Sequence, residues 1–430
     1  MKSVLIVRAL LVAVLLCQTL FAQEKTDRDS KLNSKVLAEI LDRAKETDSD
    51  AVVIWKDGKL AHEAYFEKER GRIESMSATK SVVALAFGLL LADGKLTSLD
   101  EPVHKFFPEW NQGLKAEVTI HHLLTQRSGL QCNRRTTAIY RAPDFVQFAL
   151  AADLLEEPGT QWRYNNKGCN LLPGIVSKIA GQRMDKFIGK RIFEPLGITD
   201  WSWSLDKAGN PHGMSGLQIR PEDFVKVGQL MLNEGKWEGR QILPAEFVTQ
   251  CVNDFGGPKP TDRSLSEIDF SLSFKKLAPK LGYDHHPTAG FRPSYGLLWW
   301  VDSPTEPTFS DRLLKRWKDN GVDEPFLKKM SQLKGLTVDE LWTKFHEVVG
   351  EPDYMTNIIE KGQLDWDVLS WNYFGFSADG YLGQYLVVIP KDKIVAVRMR
   401  RTPKGDFDDS KIDSFKDFKK LVRTIGENRN

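Results

Sequence analysis

Charge of one sign is what this chain most conspicuously lacks. Lys and Arg number 60 and Asp and Glu 58 over 430 residues, a net +2, so no strong field draws it to nucleic acid or to an anionic membrane. Cysteine is scarce: there are four, none in a Cys-x-x-Cys pair, which leaves zinc knuckles and thioredoxin-type redox chemistry without support. Gly-x-Ser-x-Gly, the strained elbow of Ser–His–Asp hydrolases, is missing. So are His-Glu-x-x-His, Gly-x-x-x-x-Gly-Lys and Gly-x-Gly-x-x-Gly. The eight histidines show no ligand spacing, and the adjacent pairs His121-His122 and His285-His286 cannot share one face of a helix or strand. Neither a metal nor an organic cofactor is therefore expected. What is present is ordinary globular composition, 41% hydrophobic and 27% charged, with 12 Trp and 23 Phe to fill a large core. At ~100–200 residues per domain, the length suggests two or three structural units.

Only two long apolar runs occur. Val4 to Phe21 follows Met1-Lys2, is broken by Arg8, Gln18 and Thr19, and ends at Ala22-Gln23-Glu24. A positive start, an apolar middle and a small residue before a polar stretch read as a signal peptide over residues 1–22, giving a secreted or periplasmic protein. The alternative is a membrane anchor. Against it, Arg8 leaves fewer than the ~20 apolar residues that a span needs, so no stable membrane span is expected. Lipid attachment at Cys17 is disfavoured by the bulky Leu16 before it. Three cysteines remain, and an oxidising compartment would allow one disulfide, Cys132–Cys169, with Cys251 as a buried thiol. The second run, Val82 to Ala92, is too short to span a membrane. A helix apolar all round belongs inside a large protein.

Two β-prone runs, Ala51–Trp55 and Leu60–Phe66, flank Asp57-Gly58, a strong hairpin signal. Tyr385–Ile389 and Ile394–Met399 repeat the pattern, and an amphipathic helix over 409–425 follows. Strands at both chain ends around a helix-rich middle predict one sheet assembled from the two termini. Helical periods fall at 31–45, 121–125, 144–153, 170–179, 184–192 and 221–233. Residues 254–293 read as a long loop, and 295–301 as a strand. The charged, helical stretch 302–370 reads as an insertion, either a lid over a cleft or an outer decoration.

Ser-x-x-Lys occurs four times, at Ser77/Lys80, Ser204/Lys207, Ser273/Lys276 and Ser331/Lys334. Only Ser77/Lys80 opens an apolar helix. At a separation of three, hydroxyl and amine share a helix face and can meet. Burial of an amine disfavours its charged form, and the neutral amine accepts a proton. The helix start adds N–H groups and a positive dipole end that favour a developing anion. The plain alternative makes Ser77 a cap and Lys80 a surface residue. Of nine tyrosines, Tyr164 alone is followed two residues later by Asn, in Pro158-Gly-Thr-Gln-Trp-Arg-Tyr164-Asn-Asn166. A tyrosine there could shuttle a proton, and Asn166 could hydrogen-bond the lysine and a substrate carbonyl. A buried Tyr with Asn in a turn is the structural alternative.

These segments occur in order with Val118-Thr-Ile-His-His-Leu-Leu-Thr-Gln-Arg-Ser-Gly-Leu130, His212-Gly-Met-Ser-Gly-Leu-Gln-Ile-Arg-Pro221 and Gly380-Tyr-Leu-Gly-Gln384. Together they resemble the class C β-lactamase-like serine hydrolases, a group that includes penicillin-binding enzymes, esterases and 6-aminohexanoate-oligomer hydrolases. The resemblance spans roughly residues 31–401. It implies an α/β (α+β) fold of the β-lactamase type: an antiparallel sheet from both chain ends flanked by helices, plus an all-helical subdomain. The α/β part would hold 23–70 and 290–430, with the helical insertion 302–370, and the helical part 71–289. The resemblance makes Ser77 the acylated nucleophile, Lys80 its base, Tyr164 the proton relay and Asn166 the second-motif asparagine. The division of acid and base roles between Lys80 and Tyr164 stays open, since coupled groups titrate as a pair. The third motif falls at Ala378-Asp379-Gly380, where the family's usual Lys or His is absent. Asp379 and Gly380 would line the substrate site, and the backbone N–H groups of Ser77 and Tyr381 would form an oxyanion hole. Without the cation, an ester or amide is a better expected substrate than a β-lactam. A small-molecule or peptide-like substrate is implied. A protein that acylates without turnover, as a sensor or binder, is the alternative.

Overall fold

Asn33 starts the first helix. Its Oδ1 accepts the N–H groups of Lys35 and Val36 at 3.1 and 3.2 Å, satisfying two donors that a helix start leaves open. From there the chain runs through α1 (Ser34–Glu46), β1 (Ala51–Lys56), β2 (Lys59–Tyr65), β3 (Ile73–Glu74), α2 (Thr79–Ala92), α3 (Ile120–Leu124), α4 (Thr137–Arg141), α5 (Phe145–Leu150) and α6 (Asn166–Ala180). Next come α7 (Met184–Ile188), β4 (Trp201–Trp203), β5 (Leu217–Ile219), α8 (Pro221–Leu232), β6 (Lys236–Trp237), β7 (Arg240–Gln241), α9 (Ala245–Cys251) and β8 (Trp300–Asp302). The last are α10 (Glu324–Ser331), β9 (Gly375–Gly380), β10 (Gln384–Ile389), β11 (Ile394–Met399) and α11 (Phe418–Ile425). The structure, a computed structural model, describes residues 32–66, 69–132, 136–253, 295–302, 318, 324–332, 375–403 and 413–426. The expected signal peptide 1–22, the loop 254–293 and most of the insertion 302–370 lie outside these. The chain divides into two compact units, 1–301 with 375–430, and 302–374. In the second unit, α10 buries Phe326 and Leu327.

The main sheet has the order β2-β1-β11-β10-β9-β8, and its pairings from β2 through β9 are antiparallel. It is built from both chain ends. Asp57 and Gly58 turn the first hairpin with φ of 51° and 75°, the left-handed pair that an Asp-Gly turn enters readily. Helix α8 lies on β1, β10 and β11, so close that a Cβ on Gly228 would overlap Leu386 and Val395. On the other face, α1 and α11 pack together, and Phe418 stacks on Tyr385. Tyr385 and Leu386 are neighbours, so they point to opposite faces. Both faces are covered, which is why β10 and β11 are buried throughout and their sequences are mostly apolar, with Gln384 and Arg398 the buried polar exceptions.

Helix α2 is buried from Thr79 to Leu90. It packs against α6, α7 and α9, and Gly88 leaves room only for the Phe247 ring. Each such large apolar side chain contributes ~1.5–3 kcal/mol when fully buried.

Three expectations are corrected. The final helix begins at Phe418 rather than 409: among the residues described before it, Phe415 is left-handed (φ 54°) and its N–H is taken by Asp413 Oδ1 at 2.8 Å. The strand expected over 295–301 is regular only from Trp300, because Leu298 turns the chain with φ 59°. Cys132 and Cys169 do not pair. Cys169 lies inside α6 in the core, where its Sγ accepts from Gln126 Nε2 at 3.1 Å, and neither Cys132 nor Cys251 is in a disulfide. Among the described residues, no helix is long and apolar enough to cross a membrane.

Candidate active site

Ser77 stands in a 3₁₀ turn, Met76–Ala78, that runs directly into α2. Met76 has φ 49°, a left-handed setting that disfavours a residue with a Cβ by ~1–2 kcal/mol. The surroundings impose it. β3 pairs with β5, Ile73 opposite Ile219 and Glu74 opposite Gln218, and the Ser75 N–H donates to the Leu217 carbonyl at 2.9 Å. Beneath the turn, Ser75 Oγ and Thr79 Oγ1 lie 3.0 Å apart, and Thr79 Oγ1 accepts the Leu217 N–H at 3.3 Å. The turn is thereby fixed to the segment that follows His212.

Lys80 projects from the first turn of α2 and is only 1% exposed, while Ser77 is partly open. Its Nζ donates to Ser77 Oγ at 3.0 Å and to the Met214 carbonyl at 2.8 Å. It also lies 4.8 Å from the centre of the Tyr164 ring. The three sequence candidates Ser77, Lys80 and Tyr164 therefore converge, as helix spacing requires for the first two.

Asn166 is different. It opens α6 and makes no side-chain hydrogen bond among the described residues, so the expected Asn166–lysine bond is corrected: the amine is directed at Ser77 and Met214 instead. The preceding Asn165 does the structural work, capping α6 through Lys167 and Gly168 N–H and donating to the Leu130 carbonyl at 2.7 Å.

The Met214 carbonyl is held in place by a residue that sequence reasoning missed. Asn170 Oδ1 accepts the N–H groups of Gly213 and Met214 at 2.9 and 3.2 Å. Gly213 is required here, since a Cβ would collide with the Cys169 carbonyl oxygen. Glu74 Oε1 accepts the Gly216 N–H at 3.1 Å, and burial raises that carboxyl above its usual range despite the bond. The available signal was the spacing of Asn166 and Asn170, four apart on one helix face.

Aromatic rings wall one side. Tyr164 stacks on Trp300 at 6.1 Å and 17°, with Trp162 and Tyr295 meeting Trp300 edge-on. Burial holds the Tyr295 phenol well above its ordinary value.

The third motif ends β9. A Cβ on Gly380 would collide with the Ser75 carbonyl oxygen and crowd Met76, so the strand end lies against the Ser77 turn. The backbone N–H of Tyr381 comes next, and its side chain is 49% exposed. Ala378 is fully buried where the resemblance leads one to look for a cation. Asp379 alternates to the other face of the strand, where Lys419 of α11 donates to its Oδ2 at 2.9 Å and lies 3.3 Å from Ser377 Oγ. A cation does stand near this motif, brought from 40 residues away.

A family model described as Beta-lactamase matches residues 37–416. The esterase EstB of Burkholderia gladioli is 33% identical over 205 residues, which cover 42% of this chain and 51% of that protein. A putative D-alanyl-D-alanine carboxypeptidase of Escherichia coli strain K12 is 21% identical over 380 residues, covering 73% of this chain and 79% of that protein. The chain thus spans about half of one of these curated relatives and about four fifths of the other. A crystal structure of a putative beta-lactamase from Bacteroides dorei superposes with a TM-score of 0.59 at 17% identity, covering 91% of this chain and 98% of that one. At that identity the likeness speaks to the fold alone.

Proposed function

The chain belongs to the beta-lactamase family, and from that premise we propose that it is a serine hydrolase that cleaves an ester or amide through an acyl-enzyme on Ser77. The observation that carries this reading is the 3.0 Å hydrogen bond from a lysine 1% exposed to a partly open serine hydroxyl. Lys80 accepts the Oγ proton while Oγ bonds to the substrate carbonyl carbon. The backbone N–H groups of Ser77 and Tyr381 hold the resulting oxyanion. As the tetrahedral species collapses, the bond to the leaving group breaks, and Lys80 with Tyr164 returns the proton to the departing oxygen or nitrogen. Water then attacks the acyl-serine by the same route, releasing the acid and restoring the hydroxyl. Asn166, whose side chain makes no hydrogen bond among the described residues, would hydrogen-bond the substrate.

Ala378 in the cation's place supports an ester or amide over a β-lactam, and the esterase among the relatives supports the same choice. We take residues 1–22 as a signal peptide, so the mature protein would begin near Gln23 outside the cytoplasm. Intact-mass analysis of the exported protein checks this, and a protein retaining Met1 contradicts it.

The function is tested with p-nitrophenyl esters of graded chain length and a fluorophosphonate probe. Steady release and labelling at Ser77 are expected, both abolished by Ser77→Ala. A single stoichiometric burst would make the protein an acylating sensor, and no labelling would make it a scaffold; either outcome overturns the hydrolase reading. Nitrocefin turnover matching the best ester would overturn the substrate preference.

A further inference from the structure

We propose that Arg398 is a positioning residue for catalysis: its buried guanidinium locks the turn Tyr381–Gly383 so that the Tyr381 N–H is presented beside Ser77. The inference rests on the acyl-enzyme reading above for the meaning of that N–H.

Arg398 lies in β11, opposite Val52 on one side and Tyr385 on the other, and is 0% exposed. Among the described residues, none of its hydrogen bonds goes to a carboxylate. Nε donates to Ser49 Oγ at 2.8 Å, and Nη2 to the Thr47 carbonyl at 3.0 Å and to Thr47 Oγ1 at 3.4 Å. Nη1 donates to the carbonyls of Leu382 and Gly383, the latter at 2.9 Å. A cation hydrogen-bonded in the interior by neutral oxygens carries a heavy desolvation cost, which Asp413 and Asp50 acting through space do not cancel, and an apolar residue would fill the strand without it. Burial pulls the guanidinium down to about 10, so it is still charged at neutral pH.

The acceptors show what the charge does. Leu382 and Gly383 are consecutive left-handed residues, with φ of 65° and 75°. Leucine does not adopt that conformation by preference. Gly383 has no room for a Cβ, which would collide with the Ser414 carbonyl and crowd Arg398 Nη1. The shape of the turn is therefore imposed from outside, by the guanidinium on the two carbonyls and by the chain at Ser414. The far end of the clamp is firm: Thr47 N–H donates to the Arg43 carbonyl at 3.0 Å, and Asp50 N–H to the Met399 carbonyl at 2.9 Å. At the near end, Gly380 packs against Ser75 and Met76, the residues just before the nucleophile. With the left-handed pair relaxed, the peptide between Gly380 and Tyr381 is free to rotate its N–H away.

Amide exchange and steady-state kinetics of the full chain separate the two halves of the claim. In Arg398→Lys, which replaces the planar fork by a single ammonium, the peptide covering 380–384 is expected to exchange at least ~10-fold faster. On p-nitrophenyl butyrate, kcat is expected to fall by ~10²-fold, the scale of one lost oxyanion donor, with KM within ~3-fold of wild type. Ser49→Ala keeps the charge, removes the Nε acceptor together with the 3.3 Å contact between the Ser49 and Thr47 hydroxyls, and moves both readouts the same way by less. If Arg398→Lys fails to fold, Ser49→Ala carries the test on the same two criteria. Unchanged exchange overturns the clamp, and faster exchange with unchanged kcat overturns its catalytic role. A wild-type protein that neither turns over nor is labelled would overturn the hydrolase reading and the catalytic role with it, and the exchange result would then describe the turn alone.

Discussion

Lys80 reaches two acceptors, and only one of them is a side chain. The Met214 carbonyl fixes the amine as firmly as Ser77 does, and Asn170 fixes the carbonyl. Asn170→Ala would leave two buried N–H donors unpaired, a loss of ~1–3 kcal/mol in stability. It would also let the amine drift, and a displacement near 1 Å can lower turnover by ~10²-fold. Melting temperature and kcat for the variant check both. A stable variant with wild-type kcat would show that the carbonyl does not aim the lysine. At this scale the sequence was readable where chemistry depends on side chains at short spacing, as at Ser77, Lys80 and Tyr164. It was not readable at Met214, because a backbone oxygen carries no residue signature. Nor was it readable at Lys419, whose partner Asp379 is a neighbour only in the folded sheet.

Helix α8 and the sheet approach each other through Gly228. An alanine there gains helix propensity, up to ~1 kcal/mol relative to glycine. Its Cβ would stand 2.5 Å from Val395 Cγ1 and 2.6 Å from Leu386 Cδ1, both fully buried. Overpacking of that kind costs ~1–3 kcal/mol and outweighs the gain. Gly228→Ala should therefore lower the melting temperature, and an unchanged or higher value would mean that helix and sheet separate easily. The same scale shows why some elements were legible. The two hairpins announce themselves through turn residues and β-branched runs, and α2 through its lack of any polar face. The start of α11 and the loss of regular strand before Trp300 turn on Phe415 and Leu298, left-handed residues of types that no propensity marks as such.

At the scale of the molecule, α1 and the α11 segment close on each other. Asn33 N–H donates to the Ile425 carbonyl at 2.9 Å, and Arg43 of α1 reaches Asp413 at 2.8 Å. The Arg43 hydrogen bond holds the Asp413 carboxyl below its usual range, and Arg191 does the same for Asp93. A carboxyl lowered in the folded state binds protons more weakly there than in the unfolded chain. Its contribution is present above the ordinary carboxylate pKa of ~3.9 and is lost as pH falls through the lower folded value. Wild type should therefore melt above the double variant Asp93→Asn, Asp413→Asn at pH 6, with the gap narrowing as pH falls below ~3.9. A gap that does not narrow as pH falls below that value would contradict the ion-pair account. The central claim concerns one hydroxyl and one amine. Acid-quenched intact-mass analysis with peptide mapping, after exposure to a p-nitrophenyl ester, tests it most directly. The account predicts one acyl group on the peptide containing Ser77, absent in Ser77→Ala and formed far more slowly in Lys80→Met; an adduct on another residue, or undiminished acylation in Lys80→Met, would contradict it.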